Sequence, residues 1–466
     1  MIATTMEVSE PVEKQPSNSI EEFSEDLLKL YYGKNLISNF ISYFVLMIIT
    51  DLSPDPSLAA RLFPYDKMFD WLSYGNDPKK ESSNIDRDYF LRREWSFTIK
   101  DDIYIRYQSF RNAEEYKAAI INRQPHKIDI GAVFSLSPKD HIKHNPELFK
   151  PVERELVFDI DMTDYDDIRV CCTGATICKR CWPYMTMALK VIDQALREDF
   201  AFRHILWIYS GRRGVHCWVS DENARVLPND ARSAIVEYLS VSTGTSENSD
   251  KKIKGTFSNP LHPMMKRAYE TLEPFFESCI CNVEGQGLFA TKAKYVKVLN
   301  TLPNEEIRLD LYEKWEKNAG RTGAERWREL KSAITLPSHQ GQNQSNKKRK
   351  INHIELDAWR VELVFTHCYP RLDANVSKSQ NHLLKSPFCI HPKTGRVCVP
   401  IDPSKAEEFD PFAVPTVRTL CYEVRNRNSF YTRVGFVSLL QRNLSWQNLC
   451  IIGRQTFMLK NKRTDA

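Results

Sequence analysis

The chain has 466 residues, 42% hydrophobic and 27% charged, with a formal net charge of +5. That length provides for two or three domain-sized units, and the composition excludes a disordered, collagenous or small disulfide-stapled protein. The slight basic excess fits a nucleic-acid partner but fits many other enzymes too, so charge alone assigns no function.

Residues 1–19 are polar and read as a disordered tail, without the basic start and apolar run of a secretory signal. Residues 20–60 read as a helix beginning at about Ser24, followed by an apolar insertion. The run Leu36–Ile49 is shorter than the roughly 20 apolar residues of a membrane span and carries Ser38, Asn39 and Ser42. A soluble protein of a reducing intracellular compartment, with no membrane partner, is expected.

From Glu94 to Val157 apolar residues recur mostly at every second position, the period of strands with one buried face. In "EWSFTIK", Trp95, Phe97 and Ile99 point one way and Glu94, Ser96 and Thr98 the other. In "DDIYIRYQSF", Ile103, Ile105 and Tyr107 share a face, leaving Tyr104 and Arg106 together on the opposite one. "KIDIGAVFS" sets Asp129 opposite Ile128 and Ile130. The period turns helical in "WPYMTMALKVIDQALRE", and "HILWIYS" and "GVHCWVS" then read as a strand pair joined by "GRRG". Residues 228–350 read as a charged helical region ending in a polar linker; 351–423 resume the sheet, with a hairpin around Pro392–Gly395.

Four motifs bear on chemistry. In "ELVFDIDMTDYDD", Asp159 and Asp161 project from one face of a strand while Phe158 and Ile160 turn to the core. Two carboxylates this close repel, and a divalent cation relieves the repulsion. The plain alternative is the acidic end of a surface strand, and Asp164, Asp166 and Asp167 have no assigned role. In "YSGRRGVHCW", Gly211 and Gly214 permit a sharp turn, Arg212 and Arg213 offer forked donors for phosphate, and His216 follows. An exposed basic turn would look the same.

"RLDANVSKSQNHLLKSPFCIHPKTGR" adds Asp373 as a third carboxylate, with Asn375, Lys385 and His391 nearby in sequence. These three motifs together would serve metal-assisted phosphoryl transfer. "VCCTGATICKRCW" brings Cys171, Cys172, Cys178 and Cys181 into one short stretch, suited to a structural tetrahedral Zn²⁺ or else to free thiols.

These motifs, with "KDDIYIRYQSF" and "KIDIGAVFS", resemble the small catalytic subunit of eukaryotic DNA primase over most of Arg61 to about Glu423. The resemblance implies the archaeo-eukaryotic primase fold, of mixed α/β (α+β) class. Its sheet core would fall in 61–227 and 351–423, with an inserted helical subdomain and a zinc knuckle at 171–181. It further implies synthesis of RNA primers on single-stranded DNA from ribonucleoside triphosphates, in the nucleus, during DNA replication. The implied partners are a large iron–sulfur primase subunit and, through it, the catalytic and accessory subunits of DNA polymerase alpha.

On the same resemblance, Asp159, Asp161 and Asp373 would ligate two Mg²⁺ or Mn²⁺ ions, with Glu94 joining the catalytic acids. Ser210, Gly211, Arg212, Arg213, Gly214, Val215 and His216 would hold the nucleotide. His382, Leu383, Leu384, Lys385 and His391 would lie beside them, with Asn375 close by and Tyr104 and Arg106 near the sugar. Cys171, Cys172, Cys178 and Cys181 would form the structural zinc site.

Two stretches, 33–60 and 424–466, depart from the resemblance. Gly33-Lys34, Leu58-Ala59 and Glu423-Val424-Arg425 can be encoded by splice-site-like strings, so retained introns translated in frame are expected there. Two other functions use the same residues. A two-metal nuclease or phosphohydrolase would need the carboxylates. A non-enzymatic binder of single strands would use Tyr104, Trp207 and Trp218 as stacking platforms. Arg212, Arg213 and Lys385, suited to a departing pyrophosphate, favour primer synthesis. "KKRK", Lys347–Lys350, reads as a nuclear localisation signal, a phosphate-contacting loop or a solvated linker.

Overall fold

Strand-forming sequence sorts into two sheets that share one hydrophobic core. The computed structural model describes residues 64–76, 79, 85–241, 257, 260–335 and 352–419. The first sheet contains β1 (Arg93–Thr98), β2 (Tyr104–Gln108), β3 (Lys127–Phe134) and β4 (Pro151–Glu153). The second contains β5 (Leu156–Asp161), β6 (Ile205–Tyr209) and β7 (Gly214–Val219). Two late two-residue strands complete them: β8 (Leu384–Lys385) pairs with β3, and β9 (Pro400–Ile401) with β6. The orders are β2-β1-β3-β4, with β8 on the β4 side of β3, and β5-β7-β6-β9. Among the described residues every pairing between these strands is antiparallel.

Apart from a four-residue helical turn at Glu222–Arg225, the α-helices among the described residues are α1 (Pro64–Leu72), α2 (Ala113–Arg123), α3 (Pro183–Glu198), α4 (Asn229–Leu239), α5 (Pro263–Phe275), α6 (Lys292–Leu299), α7 (Glu305–Lys317), α8 (Gly323–Thr335), α9 (His353–Cys368) and α10 (Ala374–Lys378). In α3, Met185, Leu189, Ile192 and Leu196 recur at helical spacing and are buried, which turns that face onto the second sheet and α5. Beyond Pro274, α5 passes into a π-helical turn, Phe276–Cys281, consistent with the amide that proline withholds. The helical stretch thus interrupts the sheets, which resume after α10, as the sequence pattern predicts.

One hydrophobic cluster joins both sheets to the helices and contains Trp71, Trp95, Trp207, Trp218, Trp315 and Trp327. Trp207 and Trp218 are wholly buried, which removes them as platforms for stacking bases. The β1 alternation also needs correction: Trp95 and Phe97 enter the core, but Glu94 and Ser96 are equally shut from water. Strand β1 lies between β2 and β3, and its polar face is covered in turn.

The expected face shared by Ile103, Ile105 and Tyr107 does not form. Ile103 precedes β2 and is 53% exposed, and Tyr107 has φ +58° at a register shift between β1 and β2. The extra residue of that bulge turns Tyr107 to stack on His141, ring centroids 3.9 Å apart. Among the described residues no helix is long and apolar enough to cross a membrane. The expectations for 1–19, the helix from Ser24, 33–60, Lys347–Lys350 and 424–466 lie outside the described residues.

Candidate active site

A cleft of about 290 Å³ opens where the sheets meet. Lys127, Asp129, Leu384 and Lys385 line it from the first sheet, and Asp159, Asp161 and His216 from the second. The β5–β7 register sets Asp159 across from His216 and Asp161 across from Gly214, so one strand face presents both carboxylates to the cleft. Phe158 and Ile160 point into the core, as the alternation predicts.

The turn between β6 and β7 supplies cations. Ser210 Oγ accepts from Gly214 N–H at 3.0 Å and Ser210 N–H donates to the Gly214 carbonyl at 2.9 Å, closing the loop. Gly211 has φ +87°, and a Cβ there would meet His391 Cβ at 2.6 Å. A Cβ on Gly214 would lie 2.4 Å from the Ile160 carbonyl oxygen, so the close approach of β5 requires glycine. Val215 does not line the cleft: its side chain is in the core and its residue is paired between Ile160 of β5 and Tyr209 of β6. Arg213 Nε reaches both Asp161 oxygens, at 2.7 and 2.8 Å. Lys385 Nζ donates to the Ser210 carbonyl at 2.6 Å, and Thr394 Oγ1 to that of Gly211 at 2.7 Å.

Burial first, and then the charge of Asp161, push the Asp159 carboxyl up to about 7; Lys385 opposes the push and Asp373 adds to it. His216 Nε2 stands 3.6 Å from Asp159 Oδ1. Burial, aided by Lys385, Lys127 and His391, holds this imidazole well below its ordinary value, so it is neutral at pH 7. His391 is pushed down to about 3 by burial, then by Lys385 and Arg212.

Asp373 precedes α10 and caps it, accepting from Asn375 N–H at 3.0 Å. Its own N–H donates to the Asp159 carbonyl at 3.1 Å, which ties the main chain at Asp373 to β5. The exposed Asp373 carboxylate stands outside the cleft wall, and its charge reaches Asp159. Burial and the charges of Asp161 and Asp373 also raise Asp164. Crowded hard oxygen donors that resist full ionisation fit Mg²⁺ or Mn²⁺. The side chain of Asn375 is exposed on α10, and His382 is exposed beside Leu383 at the cleft rim.

Glu94 is wholly buried and makes a forked pair with Arg106, 3.0 and 3.1 Å, rather than joining the aspartates at the cleft wall. Tyr104, on β2 with Arg106, is about half exposed, and its Oη accepts from Ser96 Oγ at 3.0 Å. Sequence reasoning missed Lys127 and Asp129. Lys127 Nζ pairs with Asp129 Oδ2 at 3.1 Å, and the buried Asp129 Oδ1 has no hydrogen-bond partner among the described residues. The signal was present: Lys127, Asp129 and Gly131 alternate along one face of "KIDIG". Gly131 lets Leu383 and Glu94 close over that face.

The sulfurs of Cys171, Cys172, Cys178 and Cys181 all lie within 4.8 Å of one another, a group that could bind a metal ion. Asp166, unassigned from sequence, supports the loop by accepting from Gly174 N–H at 2.8 Å and Arg169 Nε at 2.6 Å. Gln286, from the helical stretch, accepts from Val170 N–H at 2.9 Å and donates toward Cys171 Sγ at 3.6 Å.

Paired carboxylates on one strand, a third from a helix cap and a cationic turn opposite define a site suited to divalent-ion chemistry on a phosphorylated substrate. The family model for the DNA primase small subunit matches residues 158–403, which hold the turn, the cysteines and all three aspartates. The DNA primase small subunit of Drosophila melanogaster is 43% identical over 79% of this chain and 81% of its own length. Those of Schizosaccharomyces pombe and Saccharomyces cerevisiae are 39% and 35% identical over 79% of this chain, covering 77% and 84% of their lengths. Among solved structures, the polymerase domain of Mycobacterium tuberculosis ligase D in complex with DNA aligns at 9% identity. Its TM-score of 0.33, over 79% of this chain and 91% of that one, is too low to carry weight. The chain belongs to the DNA primase small subunit family.

Proposed function

We propose that this chain is the catalytic subunit of a DNA primase, a nucleotidyltransferase that builds RNA primers from ribonucleoside triphosphates on single-stranded DNA during replication. The observation that carries the reading is that Asp159 and Asp161 share one cleft with Arg212, Arg213 and Lys385, with the main chain of Asp373 bonded to that of Asp159, in a member of this family. Asp159, Asp161 and Asp373 would hold two Mg²⁺ or Mn²⁺ ions. The chemistry supplied by ions held there would be Lewis-acid activation of a primer 3′-hydroxyl and neutralisation of charge on a leaving pyrophosphate.

The protein's own groups do the rest. Arg213 already engages Asp161, so Arg212 and Lys385 take the larger share of the phosphate oxygens, with Ser210, Gly211 and Gly214 shaping the turn around them. His216 and His391, neutral at pH 7, each offer a single N–H rather than a charge. Glu94 acts by holding Arg106, which with Tyr104 flanks the sugar side of the cleft. The four cysteines hold a structural Zn²⁺, and no ligand position is left for chemistry.

The reading places residues 61–227 and 351–423 in the catalytic core and 228–350 in a helical subdomain. It carries with it a large iron–sulfur subunit, DNA polymerase alpha with its accessory subunit, and a nuclear location; the similarity to eukaryotic primase small subunits supports these. Incubation with template and labelled ribonucleotides tests it. Template-dependent primers are expected. Nucleic-acid breakdown without synthesis would instead favour a nuclease or phosphohydrolase. Asp159→Ala should abolish synthesis and keep template binding, whereas a pure binding module would keep its role.

A further inference from the structure

Asp373 comes to the other two aspartates from more than 200 positions away, so its approach has to be fixed by specific contacts. One is the Asp373 N–H to Asp159 carbonyl bond at 3.1 Å. A second set runs through Arg371. Its guanidinium makes a forked pair with Asp167, Nη1 to Oδ1 and Nη2 to Oδ2 at 3.2 Å. Nη1 also donates to the Asp164 carbonyl at 2.5 Å. The main-chain N–H of Arg371 donates to Tyr165 Oη at 3.0 Å, and its Cζ lies 5.4 Å from the Tyr165 ring centroid. All these contacts fall on the turn that directly follows Asp161.

We infer that Arg371 is a positioning residue for the metal-binding carboxylates, locking the Asp373 segment to the turn after Asp161 and so setting the spacing of the oxygens that receive divalent cations. The inference rests on the reading of Asp159, Asp161 and Asp373 as ion ligands. Charge and geometry make opposite predictions here. Arg371 is a cation beside an acidic cluster, and it lowers the Asp164 carboxyl that burial and Asp161 raise. If it acted through charge alone, removing it would tighten cation binding. If it acts by position, removing it weakens cation binding despite the favourable change in charge. Lysine separates the two again, because it keeps the charge and loses the fork.

The test is direct Mn²⁺ titration of the full chain, read by electron paramagnetic resonance, for the wild type, Arg371→Gln, Arg371→Lys and Asp373→Asn. Both Arg371 variants are expected to bind Mn²⁺ about 10-fold more weakly, the scale of loss when an outer-shell support of a metal ligand is removed. Equal or tighter binding by Arg371→Gln, with Asp373→Asn weakened, would overturn the role of Arg371 and leave the ligand reading standing. Unchanged binding by Asp373→Asn would remove the ligand reading itself. Should Arg371→Gln fail to fold, Arg371→Lys decides: wild-type affinity refutes positioning by the fork, and a loss supports it.

Discussion

Glu155 and Arg93 are both wholly shielded from solvent and meet in two hydrogen bonds of 2.9 and 3.0 Å. Arg154 adds a third contact to the same carboxylate at 2.8 Å, and Tyr74 Oη donates to it at 2.6 Å. The two guanidiniums then reach outward, Arg93 to the Gly131 carbonyl and Arg154 to those of Ile130 and His382. The anion just before β5 is thus tied to β3 and to the loop that leads into β8.

Replacing Glu155 by Gln leaves two buried guanidiniums short of their counter-charge. A loss of about 3–5 kcal/mol in urea unfolding is expected, the scale for breaking a buried pair from one side. Burial alone would raise this carboxyl, but Arg93 and Arg154 outweigh it and hold it far below the usual range. Its contribution is therefore present at neutral pH and is lost only as pH falls below ordinary carboxylate values toward its own depressed one. A variant as stable as wild type at pH 7 would refute the assignment.

His216 gives a pH signature of the opposite origin. Below about pH 6.5 the unfolded chain takes up a proton on this imidazole, whereas burial keeps the folded one neutral. The stability tied to it is complete above that pH and declines on acidification. In His216→Gln the drop in unfolding free energy between pH 7.5 and 5.5 should be smaller than in wild type. Equal drops would show that the folded imidazole protonates freely.

Gly214→Ala forces a Cβ to within 2.4 Å of the Ile160 carbonyl, at the point where β5 carries Asp159 and Asp161 past β7. Relieving that clash takes a shift of about 1 Å, a displacement that at reacting groups costs about 100-fold in rate, so primer synthesis should fall by that order. Gly75→Ala is the control. Its φ is +83° with nothing within 4 Å, so the expected cost is about 1–3 kcal/mol of backbone strain, with the rate of synthesis unaltered.

Cys181→Ser removes the buried member of the cysteine group. Metal analysis should find one zinc per wild-type chain and none in the variant, together with a lower melting temperature. Zinc retained at full occupancy in the variant would dismiss the four-thiolate site.

Much of the site is readable in the sequence for a simple reason. A strand period of two places Asp159 and Asp161 side by side without any tertiary information, and the glycines of "GRRG" mark a turn. Asp373 is different: no local pattern links it to β5, and its place depends on a main-chain bond across the fold. Asp129 reads as an ordinary polar position on a strand until β8 pairs alongside it, with Lys385 its register partner. Glu94 and Ser96 look solvent-facing by alternation because a single strand gives no sign of what will cover its polar side. The bulge at Tyr107 was equally hidden, since the left-handed backbone there involves no glycine or asparagine to announce it.

β8 and β9 are only two residues long, yet each adds the last hydrogen-bonded neighbour to a strand made much earlier. During translation β3 and β6 leave the ribosome before the long helical stretch, and their closing partners β8 and β9 emerge only after it. The nascent chain therefore carries bare β edges, which favour wrong pairing, together with an acidic pair still lacking Asp373. The third carboxylate and both edge-closing strands thus arrive together at the end of the fold, and a chain halted before residue 373 forgoes them all.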